Sequence, residues 1–130
     1  MKFTINESEM FTEMVKVGSI SNKVGQTGNY FIYVYDKEKN IPHFHIKEKT
    51  GKFDCCIKIN EPDYFSHSNH IDMLTKDLKK SLIHFLNEPN KRNSKFTNYD
   101  LCVAFWNGLN ENYAIDFDTM PDYEQLETIG

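Results

Sequence analysis

Ile41-Pro42-His43-Phe44-His45-Ile46-Lys47 decides the fold of this 130-residue chain. Polar and apolar residues alternate through it, which is the period of a half-buried β-strand. Successive strand side chains face opposite sides, so His43 and His45 share one face while Phe44 and Ile46 share the other. Residues 30–35 read Tyr-Phe-Ile-Tyr-Val-Tyr, aromatic and β-branched with no helical period. Residues 53–59 form a third such run after the turn signal Thr50-Gly51. Three strands in succession, joined by short polar links, predict an antiparallel meander.

Two registers follow from the links. A two-residue turn at Thr50-Gly51 sets His45 opposite Cys56, His43 opposite Lys58 and Phe44 opposite Ile57. A five-residue loop at 36–40 sets Tyr33 opposite His43, Phe31 opposite His45 and Ile32 opposite Phe44. Together they put Ile32, Val34, Phe44, Ile46, Cys55 and Ile57 on one uniformly apolar face, the expected core side. Phe31, Tyr33, His43, His45, Asp54, Cys56 and Lys58 fall on the other. That face is expected to be open unless the N-terminal helix or the tail covers it. A one-residue slip would invert both sets.

Helices are predicted on either side of the meander. Asn6 is a cap and Glu9 sits where a capping box needs it; Met10, Phe11, Met14, Val15 and Val17 give the stripe and Gly18 the stop. A short strand is expected around residues 19–23. Leu74, Leu78, Leu82, Ile83, Phe85 and Leu86 mark a helix over 71–86, ended ahead of Pro89. In it His84 reads as a boundary histidine, partly buried. Thr97 or Asn98 caps a last helix to about residue 107, striped by Leu101, Cys102, Phe105 and Trp106, with Gly108 as its stop. The expected fold class is α+β: an antiparallel three- to four-stranded β-meander with helices packed on one face.

The length fits one domain, taken as residues 1–113, followed by an acidic C-terminal tail over 114–130. Residues 1–95 carry all 15 Lys and Arg with 12 acids, a formal +3; residues 96–130 carry seven acids and no base, a formal −7. No apolar run approaches the roughly 18–20 residues that span a bilayer. The N-terminus lacks a secretory apolar core, so a cytoplasmic protein is expected. Cys55, Cys56 and Cys102 are odd in number and form no CxxC, which argues against a disulfide framework or a zinc ribbon.

Tyr33, Tyr35 and Asp36 end a strand, Pro42-His43-Phe44-His45 follows after a short loop, and Ile57 lies in the next strand. With Leu78 and Leu82 in the following helix and Trp106 in the last, this pattern resembles an uncharacterised family of small bacterial proteins, a domain of unknown function with a P-H-F-H signature. Such proteins are often encoded beside toxin–antitoxin genes. The resemblance spans roughly residues 30–106. The common family form has two prolines before the first histidine; here Ile41 replaces the first. The resemblance implies a fold and a genomic setting and supplies no catalytic assignment.

The residues themselves suggest several chemistries. His43 and His45 with Cys56 form a candidate zinc set, since zinc accepts N and S donors; otherwise no cofactor is expected. His43, His45, Tyr33 and Lys58, with Asp36, resemble a metal-independent ribonuclease kit of base, acid and phosphate-binding cation. Lys76, Lys79, Lys80, Lys91, Arg92 and Lys95 form the densest basic region, so nucleic acid is a further candidate partner. Phe117, Met120, Tyr123 and Leu126 alternate with acids in the tail, as an arm docking on a protein partner requires. The leading expectation is therefore a small non-enzymatic protein-binding module in a toxin–antitoxin-like or phage-related setting. The alternative is a histidine-dependent nuclease or metal-bound hydrolase acting through the His-x-His strand. A homodimer through an exposed sheet edge is a further option.

Overall fold

The computed structural model describes residues 23–35, 41–65, 72–117 and 119–129. The helix expected over residues 6–17 lies outside them, as do Asp36, His67 and His70. Four antiparallel strands form one sheet in the order β1 (Lys23–Thr27), β2 (Tyr30–Tyr33), β3 (His43–Glu48) and β4 (Asp54–Lys58). Helices α1 (Lys76–Asn87) and α2 (Asn98–Leu109) follow, then short 3-10 turns at Glu111–Tyr113 and Tyr123–Gln125. The α+β meander is as the sequence predicts.

The β3–β4 register matches the expectation: His43 faces Lys58, Phe44 faces Ile57 and His45 faces Cys56. Gly51 takes φ 78°, a conformation glycine adopts without strain, and closes the hairpin. The β2–β3 register is two residues away from the expectation, with Tyr33 opposite His45, Ile32 opposite Ile46 and Phe31 opposite Lys47. Pro42 explains the shift. It has no N–H to give a ladder, so β3 begins at His43 and the loop takes in residues 41 and 42. A shift of two preserves the faces. Ile32, Val34, Phe44, Ile46, Cys55 and Ile57 are all fully buried on the core side.

Helix α1 lies on that side. Thr75 accepts the Leu78 N–H as its cap, so the helix starts later than the apolar spacing suggests. Leu78, Leu82, Phe85 and Leu86 enter the core. Gly25 of β1 lets α1 come close: a Cβ there would stand 2.7 Å from Phe85 Cζ. His84 is not a boundary residue; its side chain is 78% exposed and pairs with Glu88 at 3.6 Å. Helix α2 opens with a reciprocal capping box between Thr97 and Asp100. It runs through Gly108 and ends at Asn110, whose amide reaches the Tyr35 carbonyl. Tyr99 at its other end donates to the Ile59 carbonyl, so α2 crosses the end of the sheet from the β4 side to the β2 side.

The acidic tail is part of the domain. Tyr123 and Leu126, expected as anchors for a partner, are 1% and 3% exposed and belong to the core. Tyr123 packs edge-on against Phe44, and its hydroxyl lies 2.8 Å from the Lys58 carbonyl and 2.7 Å from that of Ile59. Phe117 and Met120 are partly buried against the same cluster. Lys79 binds the Glu124 and Leu126 carbonyls, Tyr64 donates to the Glu127 carbonyl, and Ile129 bridges Thr75. The alternating apolar residues therefore dock on their own sheet. None of the described helices is long and apolar enough to cross a membrane.

Candidate metal centre

On the second face of the sheet the two histidines are covered. His43 is 1% exposed and His45 5% exposed, which corrects the expectation of an open histidine face. Residues after β4 turn back along it: Tyr64 bridges Ile57, and the Phe65 N–H donates to the Cys56 carbonyl. This pairing sets Phe65 over His43, with ring centroids 4.5 Å apart. Trp106 of α2 approaches the same imidazole at 5.6 Å. Tyr35 meets His45 edge-on at 4.6 Å. Three aromatic rings from separate parts of the chain thus roof the two histidines.

The two imidazoles have different tasks. His43 donates Nδ1–H to the Ile41 carbonyl at 2.7 Å, which ties down the start of β3. His45 instead turns Nδ1 toward β4. Cys56 stands directly across the ladder, and Asp54, two residues earlier, is on the same face. The distances from His45 Nδ1 are 3.1 Å to Asp54 Oδ1 and 3.3 Å to Cys56 Sγ. All three donor atoms lie within 4.8 Å of one another.

Those separations suit a metal shell. Around a tetrahedral zinc with Zn–N of about 2.0 Å, Zn–O of about 2.1 Å and Zn–S of about 2.3 Å, N and O sit about 3.4 Å apart, and N and S about 3.5 Å apart. A single imidazole proton on Nδ1 serves one acceptor well; a cation satisfies nitrogen, oxygen and sulfur together. Thiolate with imidazole selects zinc-like ions over magnesium or calcium. Among the described residues three protein donors converge, and the Asp54 side chain, 44% exposed, marks the route from solvent.

Lys47 supports the arrangement. It pairs across the ladder with Asp54 and holds Oδ2 at 3.9 Å, leaving Oδ1 turned toward His45. The Lys47 ammonium lies over the Tyr35 ring at 4.9 Å. Its pKa is raised, first by the hydrogen bond to Tyr35 and further by the charge of Asp54, against a desolvation that opposes it. The Asp54 N–H donates to Asp72 at 2.9 Å and fixes the strand that carries both β4 donors.

Of the expected site residues, the structure brings His45 and Cys56 together and adds Asp54 in place of His43. The signal for Asp54 was present in the Asp-x-Cys spacing of a strand, which puts two donors on one face opposite a histidine. Tyr33 faces His45 across the ladder, and its ring stacks on Tyr35 at 5.9 Å. Lys58 lies 3.4 Å from Glu61 and 3.6 Å from Asp63. Cys55 and Cys102 face the core, and burial pushes both thiols well above their ordinary range.

No family model matches this chain, and no curated protein or solved structure matches it either. The resemblance carried by the P-H-F-H strand rests on its residues alone.

Proposed function

We propose that this protein is a small zinc-binding domain that holds one ion through His45 Nδ1, Asp54 Oδ1 and Cys56 Sγ. The observation that carries this is the convergence of three chemically suited donors from two paired strands within 4.8 Å. Three protein ligands with a water in the fourth position are the arrangement that separates catalytic zinc sites from closed structural ones. A water or an anionic substrate bound there would be polarised by the metal, which supports metal-assisted hydrolysis as the reaction class. Tyr123 and Leu126, two of the four residues of the docking arm that was the leading expectation, are occupied within the domain.

Metal analysis of the full chain after equilibration with zinc and desalting tests the proposal. One zinc per chain is expected, and the cobalt-substituted protein should show a thiolate-to-metal charge-transfer band. Cys56→Ser should abolish that band, and Asp54→Asn should weaken zinc binding by at least about tenfold. Absence of stoichiometric metal, or zinc binding indifferent to both substitutions, overturns the proposal.

A further inference from the structure

A cleft of about 350 Å³ opens on the far side of the sheet from the histidines' hairpin, between β1 and the connection from α1 to α2. That volume is in the range of small-molecule sites. Three of its lining residues are cations, Lys23, Lys91 and Arg92, and its one acid is Glu88. Glu88 already pairs with His84. Lys91 and Arg92 have no ion-pair partner among the described residues. Lys23 lies over the Phe31 ring at 4.8 Å and has no carboxylate partner there either.

The loop that presents Lys91 and Arg92 is firmly built. Asn90 is 4% exposed, and its side chain is fully employed. Its Oδ1 accepts the N–H groups of Arg92 at 2.8 Å and Asn93 at 3.2 Å. Its Nδ2 donates to the Val24 carbonyl at 3.2 Å and to Asn98 Oδ1 at 2.9 Å. A backbone bond from Asn90 N–H to the Phe96 carbonyl and the bridge from Pro89 to Thr97 close the loop at its base. Such a turn fixes the backbone from which two long cationic side chains project, which lowers part of the ordering cost of binding. Asn90 has no donor left over for a ligand, so charge and size carry the main selectivity of the cleft.

We infer that this cleft binds a small phosphorylated metabolite of about mononucleotide size, its phosphate gripped by Lys91 and Arg92. Arginine and lysine together give the forked and point-charge contacts that a phosphate accepts. The concavity favours a compact ligand over an extended nucleic-acid backbone, which would need the charge spread along an open track. Lys79, another lysine of the basic region, is engaged by Glu124 and two carbonyls of the C-terminal segment.

The test uses the full chain, with and without prior chelation of metal. Titration with adenosine monophosphate, followed by backbone amide resonances, should give saturable shifts at residues 23–26 and 90–92 that survive chelation. Inorganic phosphate should shift the same amides, and adenosine should not. Lys91→Ala/Arg92→Ala changes two exposed side chains and should leave folding intact while weakening binding by about tenfold per cation removed. Shifts that disappear on chelation would assign the phosphate to the metal centre instead and overturn the inference. So would the absence of saturation at millimolar nucleotide, unchanged affinity in the double variant, or binding of single-stranded RNA with no binding of the mononucleotide.

Discussion

Deleting residues 114–130 should unfold the domain. The deletion removes Tyr123 and Leu126 from the core, with Phe117 and Met120 at its margin. Truncation of a buried aromatic costs about 3–5 kcal/mol and of a buried leucine about 2–5 kcal/mol. Their sum is comparable with the whole stability of a typical domain, about 5–15 kcal/mol. Finer substitutions resolve the polar part. The Ile59 carbonyl accepts hydroxyls from both Tyr99, at 2.9 Å, and Tyr123, at 2.7 Å. Burial drives the Tyr123 phenol far above its ordinary pKa, so it stays protonated and donating. Tyr99→Phe and Tyr123→Phe should each cost about 1 kcal/mol, because the carbonyl keeps one donor. The double variant should cost more than the two together, by about 1 kcal/mol or more, because both side-chain donors to that buried carbonyl are then gone. Urea unfolding followed by fluorescence of Trp106, the single tryptophan and fully buried, measures all of these. A truncated chain that keeps buried-type Trp106 emission and a cooperative transition within about 1 kcal/mol of the full chain would refute the argument. It would also return Tyr123 and Leu126 to the docking role.

Four further outcomes are expected. Gly25→Ala drives a methyl into the Phe85 ring and should cost about 1–3 kcal/mol by thermal melting; Phe85→Leu in the same chain should recover part of it, and a neutral Gly25→Ala would show that α1 stands further off. Lys47→Ala should lower zinc affinity by about tenfold or more in a competition titration while leaving the metal-free melting point nearly unchanged, since it acts by orienting Asp54. Asp100 has its carboxyl pKa raised by burial, against the hydrogen bonds from Thr97 that lower it, so the folded state holds that proton more tightly than the unfolded chain. Its contribution to stability is present in acid and declines as pH rises past the ordinary carboxylate value; Asp100→Asn should therefore gain on wild type across that interval in pH-dependent urea titrations, and a constant difference would contradict the sign. Cys56→Val, close in volume and suited to a strand, should leave metal-free stability within about 1 kcal/mol of wild type yet remove the stabilisation of about 2.7 kcal/mol that zinc gives at a hundredfold excess over its dissociation constant.

The parts of the fold that local chemistry controls were legible. The turn at Gly51 and strict alternation placed Cys56 across from His45, and Thr97 marked the start of α2. Pro42 moved the β2–β3 register because a missing N–H outweighed the shortest loop. Asp54 was placed on the correct face and overlooked as a donor, since a charged residue at a strand end usually means only exposure. The covering of the histidines was not legible, because Phe65 and Trp106 reach them from distant parts of the chain. The C-terminal alternation was ambiguous for a related reason. Apolar residues spaced between acids fit a groove, and spacing alone does not say whether the groove belongs to a partner or to the same chain.

Strand β3 shows why the polar face is read as a site rather than as packing. A strand buried on both sides is ordinarily apolar on both sides. Here Phe44 and Ile46 meet that demand on one side, while His43 and His45 occupy the other. Burying an imidazole carries a desolvation cost unless its nitrogens are partnered. His43 offsets part of that cost with the backbone bond to Ile41 that also anchors the strand, and a structural role accounts for that bond. His45 does not fit that account. Its Nδ1 is shared between a carboxylate and a thiol, and the carboxylate is held in place from its other oxygen by a lysine with a raised pKa. Apolar residues at 45 and 56 would fill the same space under Tyr35 at no polar cost. The chain instead keeps three ligating groups aimed at one point, next to a side chain that opens to solvent. On the proposed reading, cation binding is the physical purpose of that arrangement.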